Sequence, residues 1–517
     1  LFRTSPAWLS IGRHTERQTK AGTMIYQHLF ERVKGRGPVR TGIVGTGEFG
    51  TTIVTQSPII PRLQVPIVAD LDIEAGRSAY LKAGYAPDDI AVCDSRGASL
   101  RAMEAGKVVV VQDAMILMDL PIDVVATATR SPEAGACCAY EAIRHGKHVV
   151  MVDKEADSVV GPVLKHVADR AGVVFTTDDG DEPGLVMGLV SWARTLGLEV
   201  LSGGNVHHCL YDPEAATVTS RSQTVQVPDK DRWALGRIPE GKAERYVQAR
   251  RRLFAPFRPS EECGDPMAHM AVAANGTGLL PDAPVGHRTV ARLVELADVF
   301  CPAEDGGILR TRGAIDIPAI LHTADQPHGG GGVFVVVGNA DRHSREVMIR
   351  KGLYANYAKT AMLIYRPYHL CGAETAMSIL CAGLLEIPTG SSEILPRVDI
   401  IATTARDFAA GETLGEPGTL GWNQDLRAAL APGAPMADDK PLPFFMLEGN
   451  KLAVDVPAGM VITKDMVVLP KDSVLWHLRQ QQDEHFFGSG LDPQASVQGR
   501  PDPRNWQDRQ STKRGRG

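Results

Sequence analysis

The stretch VRTGIVGTGEFG, from Val39 to Gly50, constrains the fold of this chain more than any other feature. Residues 39–44 read as a buried strand, GxGxxG follows without a spacer, 48–55 read as a helix, and a second apolar strand at 65–69 ends at Asp70. In that order the pieces make a βαβ opening. Gly45 permits the tight turn, Gly47 lets backbone approach a pyrophosphate at the helix N-terminus, and Gly50 lets helix and strand pack closely. Thr46, Glu48 and Phe49 complete the loop, and Asp70, with Asp72 behind it, is placed for ribose hydroxyls. A carboxylate there favours NAD, whereas Arg77 suits a 2'-phosphate, so the loop implies NAD or NADP. A structural glycine turn is the alternative that the motif alone leaves open.

The same alternation continues. Strands are expected at 108–111, 124–128, 149–152 and 173–176, with helices at 73–82, 133–144 and 158–171, the pattern of a mostly parallel sheet covered on both faces. Beyond Glu182 it loosens: 229–258 is rich in both charges, glycine-bearing turns at 306–316 and 329–332 frame a strand at 333–337, and short strands and turns fill 399–469. The expected class is α/β. An N-terminal Rossmann domain (25–199) precedes a central α+β domain (200–397) and a small β-rich C-terminal domain (398–482). A leader (1–24), whose first 23 residues leave open an over-extended start, and a polar tail (488–517) read as disordered.

With 517 residues, more than one core is required. A formal charge of -6 gives no attraction to nucleic acid or anionic lipid, and the apolar run at 108–121 is broken by Asp113 and Asp119, so no membrane span is expected. Eight scattered cysteines without CxxC spacing fit reduced thiols in a cytoplasmic protein. The partner implied is a small polar substrate.

Chemistry-bearing residues cluster beyond the strand ends. Thr127, Ala128 and Thr129 open TATRSP and should lie near the cofactor, although the same segment can simply cap the next helix. Lys154, just past a strand, can direct an ammonium at a carbonyl oxygen that gains negative charge during hydride addition, or relay a proton; a locally paired surface cation is the alternative. In TDDGDEPG, Asp181 and Glu182 suit substrate hydroxyls, a divalent cation or helix capping. Arg366 suits a carboxylate or phosphate and His369 proton transfer, while packing with a salt bridge to Glu374 accounts for them equally. His207, His208 and Cys209 are adjacent without a second spaced pair, so no metal ligand is assigned and a divalent metal stays an open cofactor question. No GxSxG, HExxH or GxxxxGK[ST] motif points to another enzyme class.

RTGIVGTGEFGTTIVTQ, IRHGKHVVMVDKEAD, GPVLKHVADRAGVV, DGDEPG, ANGTGLLPD with GHR, AEDGGIL and YRPYHLCGAE occur in one order across residues 25–482. On these stretches the chain resembles the homoserine-dehydrogenase-like oxidoreductases with a C-terminal SAF domain, a group that includes an enzyme resembling 1-deoxy-D-xylulose-5-phosphate reductoisomerase. The resemblance implies an NAD(P) domain, an inserted substrate and oligomerisation domain (200–397), hence a homo-oligomer, and a terminal SAF-like module (398–482). It carries the cofactor role to Gly45, Gly47 and Gly50, and makes Lys154, Asp181, Glu182, Arg366 and His369 the residues nearest the reaction. Homoserine dehydrogenase chemistry, reductoisomerase-like chemistry and a non-catalytic nucleotide or sugar sensor are the named alternatives. The chain departs from the group where GGNVHH (203–208) stands for a lysine-bearing GKGKN, and where Ala405-Arg406-Asp407 replaces an AK-plus-acidic pattern.

Overall fold

The computed structural model describes residues 24–488 apart from 222, 258–261, 327–330 and 417. The expected disordered leader and tail therefore lie, but for Met24 and Gly488, outside the described residues, as does part of the 329–332 turn. Helix α1 (Ile25–Glu31) leads into β1 (Val39–Val44), α2 (Glu48–Gln56), β2 (Leu63–Ala69), α3 (Ile73–Lys82), β3 (Ile90–Cys93), α4 (Arg96–Glu104), β4 (Val108–Val111) and β5 (Val124–Thr127). Then come α5 (Pro132–Arg144), β6 (His148–Met151), α6 (Lys154–Ala171), β7 (Phe175–Thr177) and α7 (Glu182–Thr195). The seven strands form one sheet in the order β3-β4-β2-β1-β5-β6-β7, parallel at every pairing. Chain order reverses at β1, between β2 and β5. Ligands of such sheets bind there, outside the carboxyl ends of the strands.

Because helices cover both faces, the central strands carry apolar residues without alternation: Val109, Val110 and Val111 are all fully buried. Each such side chain contributes about 1.5–3 kcal/mol of burial. Two features depart from the pattern expected. Strand β3 and helix α4 are additional, and α6 begins at Lys154 rather than Ser158. The polar KEAD segment is helical because Glu155 and Asp157 put carboxylates in the first turn, where the helix dipole favours them.

A second body begins with β8 (Glu199–Asn205), β9 (His207–Asp212), β10 (Thr217–Ser220) and β11 (Gln223–Gln226), followed by α8 (Ala243–Leu253) and α9 (Gly264–Thr277). It continues through β12 (Leu280–Pro281), β13 (Val290–Ala291), β14 (Ala314–Ile315), β15 (Ala319–His322), β16 (Val333–Gly338), α10 (Arg342–Arg350), β17 (Tyr354–Ala355), β18 (Ala361–Arg366) and α11 (Thr375–Leu380). These strands make two mixed sheets, β12-β14-β8-β16-β18-β17 and β11-β10-β9-β15-β13. The last described part has an antiparallel pair, β19 (Val398–Thr404) with β20 (Leu426–Pro432), surrounded by short bridges and closed by α12 (Val474–Phe486).

Helix α12 was not expected within a β-rich segment. Its N-cap Ser473 and the amides of Val474 and Leu475 meet the Glu133 carboxylate at the start of α5, while Gln482 exchanges hydrogen bonds with backbone of Val159 and Val163 on α6. Arg479 of α12 is fully buried and pairs with Asp399 at 2.6 and 2.8 Å and with Asp483 at 2.9 Å, which anchors the helix to β19. None of the eight cysteines is in a disulfide, and no helix among the described residues is long and apolar enough to cross a membrane.

Candidate active site

The three loop glycines answer to different constraints. Gly45 has φ +91°, and a Cβ on it would stand 2.2 Å from the Ala128 carbonyl oxygen. A Cβ on Gly50 would stand 1.9 Å from the Gly45 carbonyl oxygen. Gly47, the N-cap of α2, has an ordinary φ of -66° and meets no protein atom within 4 Å. Its missing side chain serves no packing within the chain; it leaves open the space in front of the first amides of α2, which have no intrahelical partners.

Asp70 does not stand free at the end of β2. Its Oδ2 accepts from the Thr46 amide at 2.6 Å and hydroxyl at 2.5 Å, and its Oδ1 accepts from the Asp72 amide at 2.9 Å. The carboxylate braces the glycine loop. Asp153 does the same across the switch point: its Oδ1 accepts from the amides of Thr129 (2.5 Å) and Arg130 (2.7 Å) and from the Thr129 hydroxyl (3.1 Å). Burial, then the charge of Glu155, pushes this carboxyl up to about 7 against those hydrogen bonds. Thr127 is fully buried, with its hydroxyl on the Met151 sulfur, so of the TATRSP residues it is Ala128 and Arg130 that face the opening.

That opening is a cleft of about 560 Å³ in which Gly47, Glu48 and Phe49 share walls with Lys154, Asp181, Glu182 and His369. Lys154 is the first residue of α6. Its Nζ lies 3.3 Å from Asp265 Oδ1 and 4.0 Å from Asp181 Oδ2. Burial acts to lower its pKa, but the charges of Asp265, Asp181 and Glu155 outweigh that and hold the ammonium protonated. Asp181 combines two roles that the sequence left as alternatives: Oδ1 accepts from the Glu182 amide as the N-cap of α7, and Oδ2 faces the cleft cations. Burial raises its pKa, yet His269 and Lys154 together pull it well below the usual carboxylate range.

His369 lies 3.9 Å from Glu182 and hydrogen-bonds the Gly331 carbonyl through Nδ1. Burial would lower its pKa, but contacts with Cys371, Glu182 and that carbonyl raise it to about 9. Arg366 is engaged elsewhere, on Glu374 and over the Tyr368 ring, and does not line the cleft.

Residues the sequence reading did not single out complete the site. Asp265 and His269 lie one turn apart on α9, every side of which is covered, so no polar stripe marks them. The i, i+4 pair of an aspartate and a histidine in the otherwise apolar stretch 264–274 is the available signal. Arg221 lies 4.4 Å over the Trp422 ring, and both residues line the cleft, so the C-terminal part of the chain supplies one of its walls. His207 and His208 also line it, while Cys209, adjacent in sequence, is turned into the core.

Residues 180–375 match the family described as oxidoreductase DRL, catalytic domain. This assigns the chain to the oxidoreductase class. No curated protein matches it. Among solved structures, a levoglucosan dehydrogenase in complex with NADH and L-sorbose is 17% identical over 35% of this chain and 45% of that one, with a TM-score of 0.23. A scyllo-inositol dehydrogenase from Lactobacillus casei, with bound NAD(H) and scyllo-inositol, is 14% identical over 34% and 46%, TM-score 0.23. An oxidoreductase domain protein from Kribbella flavida is 16% identical over 35% and 44%, TM-score 0.25. The chain spans less than half the length of each, and likenesses of this size carry no argument about the site.

Proposed function

We propose that the chain is an NAD(P)-dependent oxidoreductase that moves hydride between nicotinamide and a carbon of a small polar hydroxy or oxo compound of the sugar-acid or sugar-phosphate kind. The observation that carries this is the placing of Lys154 in one cleft with the amide-lined space over Gly47. That space fits a diphosphate: backbone amides and a helix N-terminus face it, and no side chain fills it. The dinucleotide, when bound, supplies or accepts the hydride.

The protein's own contributions follow from geometry. Lys154, held charged by Asp265 and Asp181, stabilises the oxygen that becomes negative as a carbonyl is reduced, and the same oxygen when an alcohol is oxidised in the reverse direction. Asp181 adds a second counter-charge 4.0 Å from its ammonium. Arg221 and Arg130, at the wall of the cleft, give an acidic substrate a counter-charge. Asp70 favours NAD, because a 2'-phosphate would be brought toward a carboxylate. The reductoisomerase-like reading is the named alternative.

The test is a screen of the purified protein with both dinucleotides against polyols, sugar acids and sugar phosphates, following nicotinamide absorbance, with Lys154→Ala beside the wild type. Turnover in the wild type and a loss of about 10²-fold or more in the variant is expected. Equal rates in the two proteins would remove Lys154 from the chemistry, and saturable dinucleotide binding without turnover on any substrate would favour a sensor.

A further inference from the structure

We propose that Asp181, Glu182 and His269 form a site for one divalent first-row transition cation on the floor of the cleft. The three side chains offer an oxygen, an oxygen and an imidazole nitrogen, all within 4.8 Å of one another. Consecutive residues ordinarily direct their side chains apart, yet the N-cap and first residue of α7 both converge on the same ring of α9. The side chains are only 7%, 7% and 10% exposed, so water does not solvate their charge freely.

The imidazole supplies the second, independent sign. His269 Nδ1 lies 2.9 Å from Glu182 Oε2 and Nε2 lies 3.6 Å from Asp181 Oδ2, ion-pair distances at which neither nitrogen meets good hydrogen-bond geometry. A buried ring nitrogen ordinarily finds a hydrogen bond, because leaving one unmade costs about 1–3 kcal/mol. A neutral imidazole has one lone pair, so one nitrogen of His269 would ligate the cation while the other keeps its N–H toward the carboxylate it faces.

The donor set selects the cation class. Two carboxylates with one imidazole suit Mn²⁺, Fe²⁺ or Zn²⁺, whereas Ca²⁺ and Mg²⁺ are held by oxygen alone. Three protein ligands leave positions open toward the cleft, the arrangement of catalytic rather than structural metal sites. His207 and His369 stand on that open side. A substrate with vicinal oxygens would complete the shell beside Lys154.

The site rests on its donor set and not on the redox reading, so the two are tested apart. Metal-stripped full-length protein is titrated with Mn²⁺ and followed by electron paramagnetic resonance, with Zn²⁺ as competitor. Bound Mn²⁺ approaching one per chain, displaced by Zn²⁺ and weakened at least tenfold by Glu182→Gln and by His269→Ala, is expected. Asp439→Asn, an exposed carboxylate away from the cleft, serves as the control and leaves it unchanged. Pulsed measurements on the wild type require no variant to fold: a directly coordinated imidazole nitrogen is expected on bound Mn²⁺. Absence of saturable binding by either ion, binding indifferent to both substitutions, or binding without nitrogen coupling would overturn the site. An NADH titration of the same samples reports the dinucleotide reading separately.

Discussion

Replacing each loop glycine by alanine separates what the fold needs from what a ligand needs. Gly45→Ala forces an L-residue to φ +91° and brings its Cβ to 2.2 Å from a backbone oxygen; Gly50→Ala brings one to 1.9 Å. An ordinary contact is at least 3.4 Å, so strand, loop or helix must shift by more than an ångström in each case. Backbone strain of about 1–3 kcal/mol adds to the overlap at Gly45, and overpacking of about 1–3 kcal/mol arises at Gly50. Gly47→Ala meets neither obstacle. The small penalty for alanine at an N-cap is offset by the reduced freedom of the unfolded chain, so stability changes by less than about 0.5 kcal/mol. Its methyl nevertheless enters the space in front of the α2 amides. NADH affinity should fall at least tenfold, about 1.4 kcal/mol. Thermal unfolding with an NADH fluorescence titration of the three variants measures both quantities. Gly47→Ala that binds NADH as the wild type does would refute the reasoning, as would Gly50→Ala of unchanged stability.

The remaining expectations concern the rest of the molecule. Asp70→Asn should improve the ratio of NADPH to NADH affinity severalfold, read by parallel titrations; an unchanged ratio would show that the carboxylate only braces Thr46. Arg479→Ala leaves two carboxylates buried without their cation and should cost about 3–5 kcal/mol in denaturant unfolding of the segment that includes α12. His166 on α6 and His485 on α12 stack at 3.9 Å; burial, then His485, Arg170 and Lys165, lowers His166 to about 4. A histidine depressed below its unfolded value of about 6.5 leaves stability intact above that pH and loses it as pH falls toward 4. Unfolding midpoints between pH 7 and 5 should therefore drop further in the wild type than in His166→Gln, by on the order of 1 kcal/mol after discounting for solvent screening.

Where local pattern and tertiary burial agreed, the sequence was readable. The glycine loop, β1, β4 and α3 stand where apolar periodicity put them, because central strands of a doubly covered sheet are apolar throughout and their turns need glycine. The position of Lys154 was legible for the same reason: it follows the apolar run of β6. Its partners were not, since Asp265 and His269 come from a helix with no polar face, more than 100 residues away in sequence. Short β3, with only Ile90 well buried, lacked a signal, and α12 was hidden because its buried face is set by packing on α5 and α6 rather than by its own segment. Arg366 and His369 illustrate the other limit. Three residues apart, they seemed one cluster, yet their side chains leave the chain toward Glu374 and toward Glu182 respectively.

The most direct measurement is a crystal structure of the protein grown with NADH. It should place the diphosphate on the amides of Gly47 to Phe49 and the nicotinamide ring beside Lys154. Well-folded protein with NADH bound elsewhere, or with the glycine loop empty at saturating NADH, would contradict the assignment of this cleft to hydride transfer.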